Sequence, residues 1–310
     1  MKQAENNDWF KNSPYDRFSY FIASKVDRYK TLLTTIEKLG FNSFVISIGD
    51  NRHIFLLPPD KKLPRLKGDL FPFAGESPYV FVAHYDRVAG SPGANDNSIA
   101  VFHLLSIANT FIKRGINQWI IIFTDKEELK PGESFEKQGS FALGQKLKSW
   151  GLEKAKIFNF DSCGTGDTFI ISTITDLILG NNSDNPNITK LKGNISQLRN
   201  HVLETALQLR LDKVLLAPIP VCDDIGFLRA GLASQTITML PNTEAVQYEE
   251  ILRKYPEFSK LLISGEIKSS PERRHLPVTW RNLNTPADTP DRLTPQYFEQ
   301  ILNFIMELVR

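Results

Sequence analysis

Residues 79–115 read YVFVAHYDRVAGSPGANDNSIAVFHLLSIANTFIKRG. An apolar run is followed by a turn segment rich in Gly, Pro, Asn and Asp, and then by apolar residues at helical spacing. The order is strand, turn, amphipathic helix, the unit from which parallel sheets are assembled. His84, Asp86 and Asp96 fall just past the strand, together with Asn95 and Asn97. Taken singly, His84 reads equally well as a hydrogen-bonded histidine at a strand end. In the same way GANDNS, residues 93–98, reads as a loop that caps the next helix.

Outward from this unit the alternation continues. Two short β-rich runs precede it, NSFVISIG (42–49) and RHIFLLPP (52–59). Further strands follow at QWIIIFTDKEE (118–128), KIFNFDSCG (156–164), TFIISTI (168–174), VLLAPIPVCDD (214–224) and ASQTITML (233–240). Helical patterns lie between or after them at 139–151, 195–210, 225–231 and 295–310. Near-continuous apolar strands alternating with amphipathic helices predict a three-layer α/β/α sandwich around a mixed, mostly parallel sheet. Residues 14–40 carry a helical pattern ending at Gly40, so residues 1–40 are read as a polar tail and helical extension packed on the core. Residues 41–310 form the main domain, and 242–283 interrupt the alternation as a lid-like, partly helical insertion.

The bulk properties narrow the functions. Lys plus Arg number 37 against 35 Asp plus Glu, and no run of five like charges appears, which argues against a nucleic-acid partner and for small or peptide substrates. The N-terminus lacks the apolar core of a signal peptide, and no stretch approaches the roughly 20 apolar residues of a membrane span. Cys163 and Cys222 are too few for a disulfide framework. The expectation is a soluble, cytoplasmic protein. Its oligomeric state is left open.

Four strands end in acidic or metal-capable groups: His84 and Asp86, Glu127 and Glu128, Asp161, and Asp223 with Asp224. In open α/β sheets the crevice beyond the carboxyl ends of the strands is where ligands bind. Carboxylates gathered there would raise one another's pKa unless a cation sat among them, and mixed N/O donors suit zinc.

AHYDRVAGSPGANDNSIAV, FTDKEE, GSFALG, FNFDSCG, DDIGFLRAG and LNTPADTPDRL occur in this order between residues 83 and 293. As a set they resemble the zinc-dependent exopeptidases of the bacterial leucyl aminopeptidase type, which include the glutaminyl cyclases. The resemblance implies that His84, Asp96 and Asp161 bind a first metal, and that Asp96 bridges to a second held by Glu128. It makes Glu127 the general base and Asp86 a second catalytic-group residue that fixes the imidazole tautomer. It puts Asp223 or Asp224 at the amine end of the substrate or behind the metal ligands.

One position departs from the family pattern. Asn284 stands where the family usually has a histidine ligand, and an amide oxygen is the weaker donor for zinc. One tight zinc site and a second that is weak or empty are therefore expected, with His275 as a possible substitute. His103 and His201 read as helix-packing histidines, His53 as remote from the motifs, and both cysteines as small buried hydrophobes. The implied activity is a zinc-dependent aminopeptidase acting on peptides or small amino-acyl substrates. The alternatives are a glutaminyl-cyclase-like acyltransferase and a catalytically reduced binding protein.

Overall fold

The computed structural model describes residues 9–62, 71–130, 132–180, 185–268 and 270–310. Each run read as a strand forms one: β1 Ser43–Ile48, β2 Asn51–Leu56, β3 Tyr79–His84, β4 Trp119–Thr124, β5 Lys156–Phe160, β6 Thr168–Ser172, β7 Val214–Ala217 and β8 Ser234–Leu240. They pair in a single sheet of order β1-β2-β4-β3-β5-β8-β6-β7. The central strands β4, β3, β5 and β8 run parallel, β7 runs parallel to β6, and the antiparallel pairings are β1/β2, β2/β4 and β6/β8.

Side-chain alternation divides the core between the two faces of the sheet. Phe81, Ala83, Ile121 and Phe123 join one cluster with the helices Ile99–Lys113 and Phe298–Leu308. Val80, Val82, Ile120 and Ile122 join another with Leu143 and Leu147 of the helix Gly139–Ser149. Both faces are covered, which is why the central strands read as continuous apolar runs rather than as alternating ones. Register brings the carboxyl ends together: His84 lies opposite Thr124, and Val82 opposite Asn159, so Asp161 leaves the sheet beside His84.

The N-terminal extension is broken rather than one helix. A single helical turn, Phe18–Phe21, is followed by the helix Arg28–Leu39. Asp27 caps that helix by accepting from the Lys30 N–H, and Gly40 closes it at φ +71°. The break has a local cause, since an N-cap residue needs non-helical backbone. Phe18, Phe21, Leu32 and Ile36 are buried in the main cluster, so the extension shares the core. The polar tail at residues 1–8 lies outside the described residues.

β6 ends earlier than its apolar run suggests, and Ile174–Leu179 forms a helix. Residues 242–283 contain the helices Asn242–Lys254, Phe258–Ser264 and Val278–Asn282. Their Tyr248, Phe258, Leu262 and Trp280 form a third apolar cluster with Ile170, Ile219 and Ile225. No helix among the described residues is long and apolar enough to cross a membrane.

Candidate active site

His84 closes β3 with its ring buried, and neither ring nitrogen makes a hydrogen bond. Nε2 lies 3.1 Å from Asp96 Oδ1 and 3.9 Å from Asp161 Oδ1, while Nδ1 faces Asp86 Oδ1 at 3.4 Å. Burial alone would lower the imidazole pKa. The carboxylates of Asp161, Asp86 and Asp96 outweigh it and hold the ring's pKa well above the usual value. A pocket that favours positive charge this strongly, with one imidazole nitrogen and several carboxylate oxygens, fits a divalent cation such as zinc.

Donor atoms of His84, Asp96 and Glu128 all lie within 4.8 Å of one another. The sequence-based assignment likewise places these three as neighbours, with Asp96 bridging an ion at His84 and another at Glu128. Asp161 stands at the edge of the same group through its approach to Nε2.

The loop that presents Asp96 is fixed from several directions. Gly93 adopts φ +62°, and a Cβ there would sit 2.7 Å from the Asp96 carbonyl and 2.8 Å from Arg28 Nη2. Asp288 accepts the N–H groups of Asn95 at 2.8 Å and Asp96 at 3.1 Å. Asn97 donates to the Phe160 carbonyl and accepts from the Ser162 N–H, while Asn95 accepts from the Gly164 N–H. The two asparagines flanking Asp96 thus clamp the loop that carries Asp161. Burial and the neighbouring Asp96 push the Asp288 carboxyl up to about 7.

Arg28, from the N-terminal extension, bonds the carbonyls of Tyr85, Asp86, Pro92 and Gly93 and the Ser98 hydroxyl at 2.5–3.1 Å. Arg87 reaches back to the carbonyls of Ile22, Ala23 and Ser24. These reciprocal arginine contacts fasten the extension to the loop between His84 and Asp96.

Asp86 links two strand ends. Besides facing His84, it accepts the N–H of Glu127 at 3.2 Å and of Glu128 at 3.1 Å. Burial would raise its pKa, but His84 and the two N–H groups hold it below the usual carboxylate value. It does not line the cavity, so its contacts are those of a residue that positions others. Glu127 does line the cavity, and Gln138 Nε2 donates to its Oε1 at 3.2 Å.

That cavity, of about 310 Å³, opens over the strand ends. Asp96, Glu127 and Asp161 supply acidic wall, and Leu129, Val221 and Trp280 are among its apolar contacts. Asn284 also lines it, donating from Nδ2 to Glu128 Oε2 at 2.9 Å. The Asn284 side chain thus turns an N–H toward Glu128. Lys126, Ser162 and Asn284 adopt φ +59°, +55° and +61°. Left-handed backbone at three loop positions in or beside the site is the kind of local strain that gathers at functional centres.

Several expectations are corrected. Asp223 and Asp224 are fully buried and absent from the cavity wall, which does not suit substrate contacts and fits instead the alternative place behind the metal-capable groups. Thr124 donates to Asp223 at 2.6 Å and the Cys222 thiol to Asp224 at 3.2 Å, and burial pushes the two carboxyls up to about 6 and about 7. His275 lies 2.9 Å from Glu272 and packs on Tyr255, and it does not replace the missing ligand. His53 is less remote than expected, because its Nδ1 accepts the Asp125 N–H at 3.3 Å. His103 and His201 pack as read, bonded to Tyr15 and the Leu308 carbonyl, and both cysteines are free and buried.

Sequence reasoning assigned no role to Arg28 or Asp288. Asp288 lay inside a quoted motif, but nothing in its identity indicates that it binds a loop 192 residues away.

Among solved structures, a glutaminyl cyclase from Porphyromonas gingivalis is similar over 95% of this chain and 94% of its own, at 15% identity and TM-score 0.59. A leucine aminopeptidase precursor from Bacteroides thetaiotaomicron matches over 95% and 93%, at 14% identity and TM-score 0.61. A zinc aminopeptidase from Bacillus subtilis matches over 83% of this chain at 18% identity and TM-score 0.51, and the chain spans only 49% of that protein's length. At these identities the likeness establishes the fold. No curated protein sequence gives a significant match. The family model for peptidase family M28 matches residues 68–309, covering β3 to β8 and the loops that carry the polar cluster. The chain belongs to peptidase family M28.

Proposed function

We propose that this protein is a zinc-dependent aminopeptidase that hydrolyses the N-terminal peptide bond of short peptides, with Glu127 as general base. The observation that carries the reading is the convergence of His84, Asp96 and Glu128 within 4.8 Å beside a cavity that Glu127 also lines. His84 and Asp96 would hold zinc, with Asp161 and Glu128 completing the donor set and Asn284 contributing weakly. Bound zinc would polarise the scissile carbonyl and the attacking water.

The chain's own groups account for the remaining steps. Glu127 accepts a proton from water and delivers it to the departing amine. Gln138 orients its carboxylate, and Asp86 holds the backbone of Glu127 while fixing the His84 ring. The apolar cavity wall would exclude bulk water and receive the substrate's side chains.

A glutaminyl-cyclase activity is the second reading, supported by the near full-length likeness to a cyclase. One assay separates them. The protein, with its zinc content measured, is incubated with a peptide bearing N-terminal glutamine. Release of free glutamine supports the peptidase, whereas ammonia with an otherwise intact peptide supports the cyclase. Neither product, with an aminoacyl chromophore also left intact, would exclude both and point to a binding role.

A further inference from the structure

Arg273 belongs to the insertion, in the short helical stretch Pro271–His275. It is the one cationic side chain among the described residues that line the main cavity. Its backbone is fixed by bonds to Ser270 and Leu276, and its Nη2 donates to the Arg281 carbonyl at 2.7 Å. The neighbouring acid does not neutralise it: Glu272 faces Arg274 at 3.5 Å and His275 at 2.9 Å. Among the described residues no carboxylate lies within ion-pair distance of Arg273. The guanidinium is half-buried, and Leu276 and Trp280 line the same cavity. An anionic ligand entering the cavity would meet in Arg273 the one cation among these lining residues, and guanidinium geometry suits a planar carboxylate.

We infer that Arg273 is a substrate-binding residue that takes a carboxylate of the peptide, so that the preferred substrates are short peptides carrying that charge close to the scissile bond. The carboxylate has two sources, the free C-terminus of a dipeptide or an acidic side chain. This assignment rests on the peptidase reading only for the bond that is cut, since the binding of the carboxylate is separable from turnover.

Binding is measured by calorimetry on Glu127→Gln protein loaded with zinc, using Leu-Leu, Leu-Leu amide and Glu-Leu amide, with and without Arg273→Gln. A charge-assisted contact predicts that one carboxylate-bearing peptide binds roughly tenfold to a hundredfold more tightly than Leu-Leu amide. Arg273→Gln should abolish that margin and leave Leu-Leu amide unchanged, and Arg273→Lys should restore part of it. A margin with Leu-Leu identifies the C-terminal carboxylate, and one with Glu-Leu amide identifies the side chain. Equal binding of all three peptides, or an equal loss for all three on substitution, would overturn the inference. Failure of the wild type to cleave any of them would remove the peptidase reading while leaving the binding result to decide on Arg273.

Discussion

On the His84 side of the centre, the polar groups leave strand ends and are held by other parts of the chain. Asp86 faces the imidazole, Asn95 and Asn97 clamp the Asp161 loop, and Asp288 and Arg28 fix the loop of Asp96. On the other side, Glu128 follows β4 in a loop, and its Oε2 accepts from Asn284, which comes from the segment after the insertion. One side is a set of charged donors fixed by buried contacts, and the other is a carboxylate facing a neutral amide. The difference teaches that the two sides of the centre are held in place by different kinds of contact. Donor atoms from both sides, His84 and Asp96 with Glu128, nevertheless lie within 4.8 Å of one another.

The largest test of this asymmetry concerns the adjacent glutamates. Glu127→Gln should lower turnover by about 10²–10⁴-fold while leaving zinc content unchanged, because it removes a base and no ligand. Glu128→Gln should lower both. Parallel loss of zinc in the two variants would erase the distinction between them.

The next test compares the two sides as metal donors. His84→Ala should weaken zinc by more than the roughly 10–100-fold that loss of a ligand's supporting partner costs, and the melting temperature of the zinc-loaded protein should drop with it. Asn284→Ala should change zinc affinity only a few-fold, a small effect by the same scale. Chelator competition measures both, and equal losses would make the sides equivalent.

A smaller gain is expected from restoring the imidazole. Histidine tolerates the left-handed backbone at Asn284 better than most residues, so Asn284→His should fold and strengthen a second equivalent of zinc by roughly tenfold. Titration that still finds a single equivalent would show that more than the side chain at 284 closes the second site.

The smallest effect lies behind the centre. Burial raises Asp224 to about 7 in the folded chain, against an ordinary value of 3.8. The native state therefore holds this proton where the unfolded chain has released it. Its stabilising contribution is complete below about pH 4 and is lost as pH rises toward 7. Asp224→Asn should flatten the fall in melting temperature across that window, and an unchanged profile would show that Asp224 does not titrate there.

The sequence by itself determined the sheet and the position of its polar edge. Apolar runs of strand length separated by helical periodicity leave little choice of architecture, and His84, Asp86 and Asp161 lie within two residues of a strand end. Once the strands are in parallel register, those side chains must meet. The broken N-terminal helix was harder to read, because periodicity runs across residues 22–27 while Asp27 caps a new start. Only the tertiary structure decided which donors lie together, that Asp223 and Asp224 are buried behind the wall, and that Arg28 and Asp288 hold the loop of Asp96. Those outcomes depend on contacts between residues up to 193 positions apart and on positive φ angles at Lys126, Ser162 and Asn284. Residue type alone encodes neither, because loop conformation is chosen by the packed surroundings and not by the local chain.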